Sequence, residues 1–352
     1  MPFYGGQRLE STLVSPAQVA KGLSLLFEGS PGLFLRCQEQ YAYGHVDWLL
    51  DYSGLSSAVY LAGRLPHDEW GSPNPGHVLR PFRGNLGRRM PIWTWTEAWS
   101  RAYEESGIPE ASAIGAPWLY AMAVLGIPVI WNGGDPRISP WVEQAIGAQS
   151  LRRTLYVPIH SWERDVLDFR TVVARLSDVL EPSSTTVLLS WADFLSRETR
   201  WAFAQAGYHV ECAGYRGSSF APSSPMGDRK IFFKNLLTLF LTHEAVVSES
   251  MCTALLYAGS IGAKIGVPND LTGIRRDLVA NLESSLRTHA EFDSEMQAMS
   301  DQAKWLLGEP IDPRLHANEI RAMLGASSFR TPEDLRERLV TLPLPPGHEF
   351  RR

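Results

Sequence analysis

Residues 245–267 read AVVSESMCTALLYAGSIGAKIGV. The run Ala245 to Val247 is apolar and β-branched, as a buried strand requires. It stops at a small polar turn, Ser248, Glu249 and Ser250. Small and apolar residues from Thr253 to Ala258 then suit a helix, and a second short apolar run follows from Ile261 to Val267. Strand, polar turn, helix and strand make a βαβ unit. At such a turn the first backbone N–H groups of the helix have no internal partner and carry the positive end of the helix dipole. A phosphate suits that position. Ser250, Thr253 and Ala254 are small enough to let a ligand approach the backbone.

The pattern extends upstream. TLYVPIHS (154–161) is an apolar run ending in polar residues, and 163–180 carries apolar residues at helical spacing, from Val166 through Leu180. TTVLLSW (185–191) predicts a buried strand, FLSRETRWAFAQAG (194–207) a helix stopped at Gly207, HVECAG (209–214) a strand, and 228–243 a strongly apolar helix. Strands alternating with helices of this length predict a parallel sheet covered on both faces. In such sheets ligands sit beyond the carboxyl ends of the strands. The polar residues there are His160 and Ser161, Ser190 to Asp193, Tyr215 and Arg216 in the segment 214–219, and Ser248, Glu249, Ser250 and Thr253.

The first half has a less regular pattern. A helix is expected over 15–29 and another over 97–107, with strands at 33–37, 57–63, 90–96 and 112–117. Residues 66–89 are rich in Pro, Gly and Arg and form a long loop; ordered loops of that length tend to carry function. The polar candidates in this half are His45, the run His67, Asp68 and Glu69, and Glu97. Arg83, Arg88 and Arg89 could clamp a phosphate, and Trp93 and Trp95, on one face of a strand, could stack on a sugar, although core packing suits such residues as well.

At 352 residues the chain is long for a single core, so two domains are expected. The boundaries fall at 1–125 for the first, 126–152 for a linker, 153–310 for the second, and 311–352 for C-terminal helices and a Pro-rich tail. The net charge of −5 argues against a nucleic-acid partner, which would select a basic face. Three cysteines, Cys37, Cys212 and Cys252, lack metal-ligand spacing and fit a reducing, cytoplasmic setting. The start, MPFYGGQRLE, has no basic segment followed by an apolar stretch, as a secretion signal would. No apolar run reaches the ~20 residues needed to span a bilayer. The twelve tryptophans leave room for peripheral membrane contact at most.

The segments TLYVPIHS, VLLSWADF, CAGYRGSSF and VVSESMCTALLYAGSIGA, preceded by GHVDWLLDYSGL, HDEW and SAIGAPWLY, together resemble bacterial surface-polysaccharide proteins of the GT-B glycosyltransferase type. The resemblance spans roughly residues 41–267. It implies an α/β fold of two Rossmann-like domains facing across a cleft, with the second domain holding a nucleotide-activated sugar. It resembles the sialyl-, Kdo- and glycerophosphate-transferases in having a His at a strand end and a Ser/Thr-rich turn before a later helix. His160, Ser161, Ser248, Ser250 and Thr253 occupy those places, with Glu249 at the ribose and Tyr215 and Arg216 flanking the base. Ser161 stands where the sialyltransferase-like groups have proline, and His67, Asp68, Glu69 where they have an acidic pair followed by glycine.

The chemistry implied is glycosyl transfer through an oxocarbenium-like transition state. Charge develops on the leaving phosphate, where amides, hydroxyls and an imidazole stabilise it. An inverting reaction also needs a base from the facing domain, and His67, Asp68, Glu69 and His45 are the candidates. No DxD run is present, so the expectation is a nucleotide-sugar co-substrate with no metal and no resident cofactor. The acceptor would be a glycan, a lipid-linked sugar or a small molecule. A sugar-nucleotide epimerase, a glycerophosphate-type phosphotransferase and a non-catalytic binding protein are the alternatives on the same frame. The chain has no G-x-G-x-x-G dinucleotide turn after its first strand and no G-x-S-x-G elbow.

Overall fold

The computed structural model describes residues 42–55, 92–105, 111–133, 152–160, 169–214, 230–280 and 303–340. The chain is an α/β protein, with two parallel sheets among the described residues. The larger sheet has five strands: β3 (Arg152–Tyr156), β4 (Thr185–Leu188), β5 (His209–Glu211), β6 (His243–Val247) and β7 (Lys264–Gly266). Their spatial order is β5-β4-β3-β6-β7, and every pairing is parallel. The chain therefore winds outward in one direction from β3 to β5, crosses back, and winds in the other direction from β6 to β7. Such a sheet has its topological switch point between β3 and β6.

The alternation of side chains along the strands decides which layer each helix joins. Leu155, Leu188, Val246 and Ile265 point to one face. They pack with α7 (Ile231–Leu241), α8 (Thr253–Ser260) and, from the first half of the chain, α3 (Pro117–Leu125). Tyr156, Val187, Leu189 and Val247 point to the other face. There they meet α4 (Phe169–Leu176), α6 (Arg197–Gln205) and α9 (Asn269–Ala280). Phe169, Val172, Val173 and Leu176 are the buried positions of α4, spaced as one helical face.

The helix expected over 194–207 is two helices. Short α5 (Trp191–Leu195) ends at Ser196, whose hydroxyl accepts from the Thr199 amide and so caps α6. An N-cap inside an apolar pattern restarts the helix there. Gly207, at φ 90, ends α6 as expected. The apolar helix expected over 228–243 ends at Leu241, and His243 already belongs to β6.

In the first half, β1 (Ile92–Thr94), α2 (Glu97–Glu105) and β2 (Ala111–Ala113) form a small parallel βαβ unit. The expected strands at 33–37 and 57–63, the helix at 15–29 and the loop at 66–89 lie outside the described residues. Trp93 and Trp95 do not form an open platform. They are 2% and 0% exposed and lie in two different core clusters, so their role is packing. The strand is three residues long, too short for both indoles to share its face.

The chain from 303 onward returns to both halves. Ile311 and Ile265 exchange backbone hydrogen bonds, and the Val267 amide donates to Leu306, so the outer edge of β7 is covered by chain rather than left open. Next, α10 (Ala317–Met323) packs on α8, with Ile320 against Gly259. The last described helix, α11 (Pro332–Val340), packs on α1 (His45–Tyr52), where Leu335 and Leu339 join Val46, Leu49, Leu50, Trp93, Ile114 and Tyr120. The described start of the expected linker is packed too: Ile127 and Val129 are buried in the large core.

Candidate functional site

The carboxyl ends of β3 and β6 lie side by side, since Tyr156 is in register with Val247 and the Val157 amide donates to Val247. Beyond them the chain runs through Pro158 and Ile159 to His160 on one side, and through Ser248, Glu249 and Ser250 to α8 on the other. The sheet thus brings His160 and the Ser248–Thr253 turn to the same rim at its switch point.

The side chains differ sharply in exposure. His160 is exposed. Thr253, the first residue of α8, is half-buried. Ser248 and Ser250 are buried, and Glu249 has no exposed surface. Glu249 therefore turns inward, and its Oε1 accepts from the Ile159 amide at 2.5 Å. The residue before α8 is Cys252, in extended conformation, whose sulfur faces the amides of Leu255 and Ala254. Thiol, amides and the Thr253 hydroxyl together form the helix end at which an anion would be stabilised.

At the tip of β4, the Ser190 hydroxyl donates to Asp193 at 2.7 Å and accepts from its amide, capping α5. Asp193 is 4% exposed, so this pair serves the helix end. His45 opens α1 and is 2% exposed, with its ring 5.0 Å from that of Phe233 in α7. It sits in the contact between α1 and α7 rather than on an open rim. His67, Asp68, Glu69, Ser161, Tyr215 and Arg216 lie outside the described residues, as do Arg83, Arg88 and Arg89. Among the described residues no three His, Cys, Asp or Glu side chains are grouped to hold a metal ion. No described helix is long and apolar enough to cross a membrane.

The small residues of α8 have a second use. A Cβ on Gly259 would come within 2.7 Å of Ile265 and 3.0 Å of Ile320, so the later part of the helix is small because β7 and α10 press on it. Only its first turn faces the rim. The corresponding rim of the small sheet is filled by the chain itself. The Ala116 amide donates to Leu324, and Arg330 donates through Nε and Nη2 to the Ala113 carbonyl.

Tyr156 carries no polar signal in the sequence, because it closes an apolar strand run. The structure buries it completely beside Glu249, and burial together with that carboxylate pushes its phenol well above the ordinary tyrosine range. Burial also pushes up Cys252, Cys212 to about 11 and Tyr208 to about 12. All four are neutral acids whose folded state keeps the proton longer than the unfolded chain does. Their contribution to stability is complete below about pH 9 and is lost as pH rises through the raised values. The urea midpoint is expected to hold at pH 8 and fall by pH 10.5; an unchanged midpoint would contradict this burial.

Comparison of the chain with protein-family models, with curated proteins and with solved structures gave no significant match.

Proposed function

We propose that the protein is a glycosyltransferase that takes a sugar from a nucleotide-activated donor. The diphosphate of the donor sits at the switch point, between His160 and the first turn of α8. The carrying observation is the adjacency of the β3 and β6 tips at the place where the sheet reverses its winding. This is where doubly wound sheets receive ligands, and it holds an exposed imidazole and a helix N-terminus together.

In the proposed reaction the bond between the sugar anomeric carbon and the leaving phosphate oxygen breaks, and its electron pair stays on that oxygen. The acceptor hydroxyl oxygen bonds to the anomeric carbon, and its proton passes to a base. His160, the α8 amides and the Thr253 hydroxyl meet the charge that develops on the phosphate. For the base, the proposal keeps His67, Asp68 and Glu69, contributed by a first Rossmann-like lobe (1–125) that faces the second (153–310) across a cleft; His45, buried against Phe233, is left to packing. Ser161, Tyr215 and Arg216 complete the donor side.

A nucleotide bound at a hundredfold excess over its dissociation constant adds about 2.7 kcal/mol to stability. CMP, UDP, GDP or ADP at millimolar concentration is therefore expected to raise the melting temperature by several degrees, and His160→Ala to remove most of the rise. Absence of a rise with every nucleotide would overturn the reading.

A further inference from the structure

We infer that Glu249 is a positioning residue, whose carboxylate takes the place of a backbone carbonyl in the β3–β6 ladder and so sets the course of the chain that carries His160. The strap stands on geometry alone. Its consequence for nucleotide binding rests on the function proposed above.

In a parallel pair the amides that face a given neighbour recur every second residue. The Val157 amide donates to the Val247 carbonyl at 2.8 Å. The next amide on that side is Ile159. By then β6 has ended at Val247, and the chain bends at Glu249 and Ser250 on its way into α8. The acceptor at that rung is Glu249 Oε1. The side chain reaches it because Glu249 lies two residues beyond Val247 and so leaves the sheet on the Tyr156 face, where it meets Tyr156.

Pro158 makes the rung decisive. It offers no amide of its own and holds Val157 in extended backbone. Between Val157 and His160 the Ile159 bond thus ties this segment to the turn after β6. A wholly buried carboxylate is costly unless hydrogen-bonded, and its bond to an amide is stronger than one between neutral groups. The ribose contact expected of Glu249 calls for an open carboxylate, whereas this one is committed inward.

Two substitutions separate reach from charge. Glu249→Gln keeps an acceptor oxygen at the same distance. Glu249→Asp keeps the charge but is one methylene too short to reach Ile159. Hydrogen exchange at the Ile159 and His160 amides and nucleotide-induced melting shifts are measured on the full chain of each. The Gln variant is expected to retain amide protection and the shift. The Asp variant is expected to exchange at least about tenfold faster and to lose the shift, as far as His160→Ala does. Combining Glu249→Asp with His160→Ala should then cost no more of the shift than His160→Ala alone. The inference falls if the Asp variant protects both amides like the wild type, or if it binds nucleotide normally. It falls equally if the Gln variant loses binding with its amides still protected, which would make the charge a direct ligand contact. A wild type that binds no nucleotide would sink the proposed function instead, and amide exchange would still decide the strap.

Discussion

Gly325→Ala is expected to lose on the order of 4 kcal/mol of stability or more, in the range where a named steric cause is required. Gly325 follows α10 at φ 64, in the left-handed region. A Cβ there would overlap the Trp95 carbonyl oxygen and lie 2.6 Å from its carbon and 3.3 Å from the Gly115 Cα. These neighbours are backbone, in a strand exit that is itself hydrogen-bonded, with the Gly115 amide donating to Trp95. Neither segment can yield without breaking the Ala116–Leu324 bond beside it. Gly126 is the control. It has a similar φ of 67 with nothing within 4 Å, so alanine there should cost only about 1 kcal/mol, the conformational penalty alone. Urea titrations of both variants check the pair. Equal losses would mean that the Trp95–Gly325 approach is not close.

Trp118→Ala is expected to cost about 4 kcal/mol, as for other large aromatics truncated in a core. Trp118 is 0% exposed. Its ring stacks on Tyr257 of α8 at 4.7 Å and 9°, its edges meet Phe233 and Phe240 of α7, and its Nε1 donates to Ser260 at 2.9 Å. It is a main tie between α3, from the first half of the chain, and the helix layer over the large sheet. Trp118→Phe keeps most of the apolar volume and loses the hydrogen bond, for about 1 kcal/mol. Ser260 keeps its bond to Tyr257, so no buried hydroxyl is stranded. If chemical denaturation found the alanine variant within about 1 kcal/mol of wild type, α3 would not be part of one continuous core.

Why one half of the chain is legible and the other is not follows from burial. The strands at 154, 185 and 245 were readable because both faces of the parallel sheet are covered there, which demands short runs rich in apolar residues. Strands β1 and β2, expected at 90–96 and 112–117, are only three residues each, and the polar Thr94 and Ser112 within them interrupt the apolar run that would fix their bounds. The restart at Ser196 was invisible because the apolar period continues across it. The candidate site was legible as a set of polar residues at strand ends. Their exposure was not, because a serine or glutamate after an apolar strand has the same letters whether it faces solvent or lies beneath the rim.

By itself the amino-acid sequence determined the alternation of strand and helix in the second half, the Ser248–Ser250 turn before α8, and the tip of β3 at His160. These are local, since hydrophobic period and turn residues act over a few positions. Tertiary structure alone decided the strand order β5-β4-β3-β6-β7, which places those two tips together across 90 residues of chain. It also decided that Glu249 turns inward and that residues 324–340 return to α1 and β2. The physical reason is that apolar burial carries no direction and rewards any contact that excludes water. Which distant segments meet is left to shape and to single hydrogen bonds such as those of Glu249 and Arg330.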